Sequence, residues 1–391
     1  MLSREVKERL REYETPFYLY DMELLRRTVE CALREADRYG YRLHYAMKAN
    51  NDRRIMEFIA SCGMGADCVS GNEVRRAIET GFAPKDIVYA GVGKKDSEII
   101  YALRQGIFAF NCESKNELVV IDALARELGV VADVALRINP DIDPHTHSYI
   151  TTGLSENKFG ISPREITDVV GMLGDLRNID IMGLHFHIGS QITDLGVFAE
   201  LCRKVNASYR WFTEEGFRIT DVNVGGGLGV DYDVPEMHPV PDFAAYFAVF
   251  AQGLDLPASV GVHFELGRSL VAQCGELIST VLFTKVSGLG DDIALIDASM
   301  TELLRPALPF PPCDREPDRY GAGACLYDRG NGVRVIGYLR PRPFPARTQA
   351  RRPAFDKDGR SLRCRNGLAL QSAQPAAGGL QRRVVTRPPL P

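Results

Sequence analysis

Between residues 43 and 267, short runs of β-branched and aromatic residues alternate with longer stretches whose apolar residues recur at helical spacing. The strand candidates are LHYAMKA (43–49), GADCVS (65–70), IVYAGV (87–92) and IFAFNCES (107–114). They continue as VADVALRINP (131–140), IMGLHFHIGS (181–190), ITDVNVGGG (219–227) and GVHFELG (261–267). Amphipathic segments such as EVRRAIETG, KNELVVIDALARELG and PDFAAYFAVFAQGL lie between them, and several end in glycine as helix C-termini do. Eight βα units predict an α/β chain with a closed (β/α)8 TIM-type barrel, and a span of about 225 residues suits that fold. An open doubly wound sheet is the alternative, but it needs fewer strands and a switch point. Outside the barrel, TPFYLYD (15–21), ELISTVLFTKV (276–286) and DIALIDASM (292–300) predict a second β-domain built from both chain ends.

A barrel gathers chemistry at the C-terminal ends of its strands. The predicted ends carry Lys48, Asp67, Ser70, Asn111, Glu113, Arg137, His185, His187, Gly225, Gly226, Gly227, Glu265 and Arg268, an unusually polar set. Lys48 closes the apolar stretch YAMKAN. Partly desolvated there, its amine is expected to have a lowered pKa and to be able to bond an aldehyde; a salt-bridged structural lysine is the alternative. The glycines of VGGGLG leave backbone N–H groups uncovered for a phosphate, with the Ser190 hydroxyl close by, although a tight turn would look the same. His185 and His187 share one strand face, which suits a zinc site, an imidazole lying on a cofactor ring, or a hydrogen-bonded core pair. In FELGR, Glu265 is placed to meet a pyridinium nitrogen and Arg268 to bind a phosphate or carboxylate; an internal Glu–Arg pair is the plainer account. Amine, phosphate cradle, imidazole and carboxylate together describe a pyridoxal phosphate site.

Composition narrows the class further. The 391 residues are 45% hydrophobic and 25% charged, as in soluble globular proteins. A net charge of −4 gives no reason to expect nucleic acid or an acidic membrane as partner. The N-terminal MLSREVKERLREYE is charged helix without the apolar core of a signal peptide, and no apolar run is long enough to span a bilayer. Nine scattered cysteines, with no CxxC pair, predict reduced thiols and a cytoplasmic location. One region stands apart. Residues 309–391 hold 12 of the 22 prolines and 16 Lys+Arg against six Asp+Glu, a balance of +10 where residues 1–308 carry −14.

TPFYLYD, HYAMKAN, GADCVSGNE, RINPD, TTGLSENKFGI, GLHFHIGSQI, NVGGGLGVDY, HFELGRS and LIDASMTELLRPAL occur in this order. Over about residues 15–308 the chain therefore resembles the fold type III pyridoxal phosphate decarboxylases built on an alanine-racemase-like barrel, and within them the diaminopimelate group. The resemblance implies that Lys48 carries the cofactor and His187 stacks on its ring. It implies that Ser190, Gly225, Gly226 and Gly227, with the Glu265-Leu266-Gly267-Arg268 stretch, hold the cofactor, Glu265 at the ring nitrogen. Arg268 and Arg305 would bind substrate carboxylates. The implied reaction is decarboxylation of meso-2,6-diaminopimelate to L-lysine by a homodimer, with decarboxylases of other basic amino acids or a non-catalytic relative as alternatives. Related racemases place an arginine at the ring nitrogen, so Glu265 favours decarboxylation.

The resemblance divides the chain into an N-terminal segment joining the β-domain (1–22), the barrel (23–268), β-domain strands (269–308) and an Arg/Pro-rich tail (309–391). After Arg305-Pro306-Ala307-Leu308 the family's tyrosine-rich stretch gives way to PFPPCDREPD. Its Cys-Glu-Ser segment and its late Gly-Ala-Tyr-Gly stretch are missing as well. The tail reads as out-of-frame translation from near residue 309, with a divergent disordered tail as the alternative, and resequencing of the gene decides between them. The loss predicts a poorly folded, incomplete β-domain, weak dimerisation and weak turnover.

Overall fold

Strand and helix patterns fall into place in a computed structural model. It describes residues 9–142, 159–232, 234–286, 288, 292–299 and 302, and the backbone of four short strands within 326–386. Arg305, residues 151–158 of TTGLSENKFGI and all of the tail except those four strands lie outside the described residues.

Following β1 (Phe17–Asp21) and α1 (Met22–Asp37), eight strands form a closed parallel barrel. These are β2 (Arg42–Ala46), β3 (Gly65–Cys68), β4 (Ile87–Tyr89), β5 (Ala109–Cys112), β6 (Ala132–Arg137), β7 (Ile179–His185), β8 (Asp221–Asn223) and β9 (Gly261–Leu266). β9 closes on β2 with Leu43 opposite Phe264 and His44 opposite Glu265. Helices α2 (Arg53–Ser61), α3 (Gly71–Glu79), α4 (Asp96–Gln105), α5 (Lys115–Leu128), α6 (Ile166–Leu173), α7 (Gly196–Glu214) and α8 (Phe243–Gly253) alternate with the strands; the short α9 (Arg268–Val271) follows β9. Each strand is shorter than its sequence pattern suggested, because the C-terminal residues of each run turn out of the ladder to build the barrel mouth. Ser70 is one of these. Its side chain accepts from the Glu73 N–H and caps α3, as Ser114 caps α5. No helix among the described residues is long and apolar enough to cross a membrane.

The strand that carries Glu265 is held from outside by aromatic packing. Phe243, Tyr246, Phe247 and Phe250 recur at helical spacing on α8 and are all buried. Phe247 and Phe250 meet the Phe264 ring edge-on at 5.0 and 4.9 Å. Such pairs contribute about 0.5–1.5 kcal/mol beyond area burial. Because neighbours on a strand face opposite ways, seating Phe264 against α8 turns Glu265 into the barrel.

Towards the N-terminal end of the barrel a buried polar chain joins three strands. Asp221 Oδ1 lies 2.8 Å from His263 Nε2, whose Nδ1 lies 2.9 Å from His44 Nε2, and His44 Nδ1 approaches the Asp86 carbonyl at 3.1 Å. Gly65 makes room for this contact, since a Cβ there would stand 2.3 Å from the same carbonyl. Burial first, then the neighbouring His263, push the His44 pKa down to about 3. An imidazole neutral in the fold but protonated when unfolded loses stability as pH falls below about 6.5 and towards its folded value. His44→Gln is expected to cost about 1 kcal/mol at neutral pH through the altered contacts. The deficit should shrink or reverse in mild acid, as read from urea midpoints at the two pH values.

By internal contacts the chain divides into two compact units, Arg26–Val271 and the two chain ends together. In the latter, β1 pairs with β10 (Gly275–Ile278) on one side and with the tail strand 383–386 on the other. β11 (Thr280–Val286) pairs with β12 (Asp292–Ile296) and with residues 352–353. Both tail strands occupy sheet edges, where the missing N–H of Pro353 is tolerated. The β-structure expected over 276–286 is two strands, broken at Ser279. The Ser279 hydroxyl and the Thr280 N–H both donate to Asp297 Oδ1, at 2.6 and 2.9 Å, and pin the bend.

Candidate active site

Lys48 lies in a one-turn 3-10 helix, Met47–Ala49, directly after β2 rather than on the strand itself. Its side chain is 49% exposed and its amine stands 3.3 Å from Asp67 Oδ2. The expectation of a lowered lysine pKa is overturned. Burial does lower it, but the charges of Asp67 and Glu265 together outweigh burial and hold it above the ordinary value. Asp67 is pushed up to about 6 by burial and by the nearby Glu265 charge. Its second oxygen, Oδ1, is buried without a donor among the described residues.

Glu265 sits deeper, on β9. Asn111 Nδ2 and Asn223 Nδ2 donate to its Oε1 at 3.2 and 2.9 Å, and His185 Nε2 lies 3.2 Å from Oε2. Burial alone would raise its pKa; the charge and hydrogen bond of His185, with Lys48 beyond, overcome that and hold it well below the usual carboxylate range. The ionised form is favoured. The Glu–Arg pair considered from sequence does not form: Arg268 Nε donates to Ser190 Oγ at 3.1 Å and its Nη1 to Tyr232 Oη at 2.7 Å.

The two histidines divide. His185 is the last residue of β7 and is committed to Glu265, while His187 lies just beyond the strand. The Gly226 N–H donates to His187 Nδ1 at 3.3 Å. Burial and the Lys48 charge keep the His187 pKa well below its ordinary value, so the ring is neutral. Among the described residues no group of His, Cys, Asp and Glu is arranged to hold a metal ion.

The glycine loop is zipped to the segment after β7. Ile192 N–H donates to Gly227 O and Gly229 N–H to Ile192 O, each at 2.9 Å. The Gln191 amide clasps both polar groups of Val230. Gly225 and Gly227 adopt φ of 72° and 109°, which leaves this turn to glycine. Ser190, Arg268 and the loop thereby share one rim. Glu113 and Arg137, also expected at strand ends, pair at 3.0 Å, and Glu113 further accepts from Gly91 and Gly160 N–H groups. Sequence reasoning missed Asn223, which lies in ITDVNVGGG two residues before the glycines, and Tyr232, just beyond them.

These residues fit pyridoxal phosphate. An accessible amine stands beside an acid that lacks one hydrogen-bond donor, a buried anionic carboxylate lies below, and a glycine turn with Ser190 and Arg268 offers donors for a phosphate.

The chain belongs to the pyridoxal-dependent decarboxylase family: residues 24–272 match its pyridoxal binding domain. Within that family it groups with the diaminopimelate decarboxylases. It is 49% identical to the diaminopimelate decarboxylase of Bacteroides thetaiotaomicron over 302 residues, 77% of this chain and 78% of the relative. The crystal structure of diaminopimelate decarboxylase from Helicobacter pylori complexed with L-lysine superposes with a TM-score of 0.77 at 32% identity, covering 87% of this chain and 86% of the other. An arginine decarboxylase of Paramecium bursaria Chlorella virus, 20% identical with a TM-score of 0.70 over 87% of this chain and 90% of its own, shares the fold.

Proposed function

We propose that this chain removes carbon dioxide from the D-centre of meso-2,6-diaminopimelate to give L-lysine, using pyridoxal phosphate bound at the mouth of the barrel. The observation that carries the reading is the buried Glu265 carboxylate, both oxygens already oriented by Asn111, Asn223 and His185, in a barrel mouth that also presents the Lys48 amine. Bound pyridoxal phosphate supplies an electron sink for the pair left when the bond to the departing carboxylate breaks. Lys48 would be the residue to hold the cofactor through its aldehyde, with Asp67 keeping the amine oriented. Glu265 would hold a proton on the ring nitrogen, and the neutral His187 would pack against the ring. Gly225, Gly226, Gly227 and Ser190 would cradle the phosphate. Arg268, already drawn to that rim by Ser190 and Tyr232, faces the anionic end of cofactor or substrate.

The substrate class follows from the relatives, which are diaminopimelate decarboxylases, one of them bound to the proposed product. We further propose a cytoplasmic location and a homodimer weakened by the altered tail, which size-exclusion chromatography of the full chain at several concentrations tests. The functional test is CO₂ release from meso-2,6-diaminopimelate by the purified chain supplied with cofactor, with ornithine, arginine and lysine as competing substrates. Release confined to diaminopimelate is expected. Preference for another basic amino acid would overturn the substrate assignment. A chain that binds the cofactor but releases nothing would overturn the activity of this polypeptide and direct attention to residues 309–391.

A further inference from the structure

An ionised carboxylate accepts hydrogen bonds at about four lone-pair positions, two on each oxygen. At Glu265, Oε1 is filled by the amides of Asn111 and Asn223. His185 Nε2 stands 3.1 Å from Oε1 and 3.2 Å from Oε2, so with Oε1 occupied its proton serves Oε2. One acceptor position then remains, on Oε2.

Asn223 differs from Asn111 in having both ends of its amide committed. Its Oδ1 accepts the Gly225 N–H at 2.9 Å while its Nδ2 donates to Glu265. A backbone N–H can only donate, so the amide orientation is dictated by its neighbours and the side chain cannot flip. Register supplies the placement: on adjacent strands Asn223 lies between His185 of β7 and His263 of β9, just below the level of Glu265.

We infer, resting on the functional reading above, that Asn223 is a positioning residue that couples the two ends of the cofactor cradle, fixing the carboxylate and the glycine turn with one amide. The charged and titratable groups facing Glu265 are His44 and Lys48 from β2 and its following turn, Asp67 from β3, His185 and His187 from β7 and beyond, and Tyr246 from α8. Asn223 hydrogen-bonds both Glu265 and Gly225.

Asn223→Asp isolates this role. The variant keeps the acceptor for Gly225 and replaces the donor to Glu265 by a carboxyl group. Protonated, the new carboxyl donates to Oε1 and restores the native pattern; ionised, it sets two carboxylates against each other, which the site disfavours. Titration of pyridoxal phosphate into cofactor-free protein, followed by absorbance, is expected to show the dissociation constant of Asn223→Asp rising by about tenfold or more between roughly pH 5.5 and pH 8.5. Wild type should lack that loss, since deprotonation of Lys48 favours capture as pH rises. Asn223→Ala should bind weakly at every pH, without the step.

A second measurement needs no cofactor. The thermal midpoint of Asn223→Asp relative to wild type should fall as pH rises, because a carboxyl with a raised folded pKa destabilises the fold only where the unfolded chain has lost its proton. Wild-type affinity and midpoint throughout that range would overturn the inference. Should Asn223→Asp fail to fold, Asn223→Ala, which removes both bonds of the amide, decides: wild-type affinity for pyridoxal phosphate there would also overturn the inference. Failure of wild type to bind pyridoxal phosphate would sink the functional reading, and the pH-dependent midpoint would still decide the role of Asn223.

Discussion

Lys48→Ala is expected to reduce CO₂ release on the order of 10³-fold or more, since on the proposed reading it removes the amine that would bond the cofactor. The competing account makes Lys48 a cation that neutralises the buried Asp67 at 3.3 Å. Lys48→Arg separates the two. A guanidinium preserves the charge beside Asp67 and the fold with it, yet stays protonated at every accessible pH and cannot bond an aldehyde. Loss of activity in both variants, with native thermal stability in Lys48→Arg, fits the covalent role. Activity retained in Lys48→Arg would reduce Lys48 to an ion-pair partner. Because Asp67 and Glu265 hold the amine protonated, covalent capture of the cofactor by wild type should also quicken as pH rises above neutrality, which stopped-flow absorbance would follow.

Gly226→Ala is expected to destabilise the barrel by about 3 kcal/mol, the upper end of ordinary overpacking. A Cβ at Gly226 would come within 1.8 Å of the Glu265 carbonyl oxygen and 3.0 Å of its carbon. Both are backbone atoms, so no side chain can swing aside. The glycine turn and β9 would have to part where the Glu265 N–H donates to Gly225 O at 2.8 Å. Phosphate cradle and buried carboxylate would move together, and cofactor affinity should fall along with stability. Gly171→Ala is the matched control. It lies within α6 with nothing near its added methyl, and should be neutral or stabilising by about 0.5–1 kcal/mol. Urea unfolding of the two variants would expose the difference, and equal stability would remove the packing argument for Gly226.

The alternation of apolar runs already implied eight strands in order, and local chemistry at their ends pointed to Lys48, the glycine turn and Glu265. What it could not give was which polar groups meet. His185 and His187 look equivalent in HFH, yet one ends a strand facing Glu265 and the other lies past it, under the Gly226 N–H. Glu265 and Arg268, three residues apart, suggest a pair; the turn into α9 sends Arg268 to Ser190 and Tyr232 instead. Asn223 was passed over because an asparagine in a strand carries no signal until its neighbours on β5, β7 and β9 are known.

Lys48 shows the boundary most clearly. A lysine closing an apolar run suggests burial and a lowered pKa, and burial does act in that direction. The outcome is reversed by Asp67, 19 residues away, and Glu265, 217 residues away in the chain, which barrel closure brings to the same amine. Periodicity and residue type act through near neighbours, so the sequence by itself determined the order of strands and helices and the kinds of groups at the barrel mouth. Protonation states and hydrogen-bond partners depend on charges brought together by closure of β9 onto β2, and only the tertiary structure decided them.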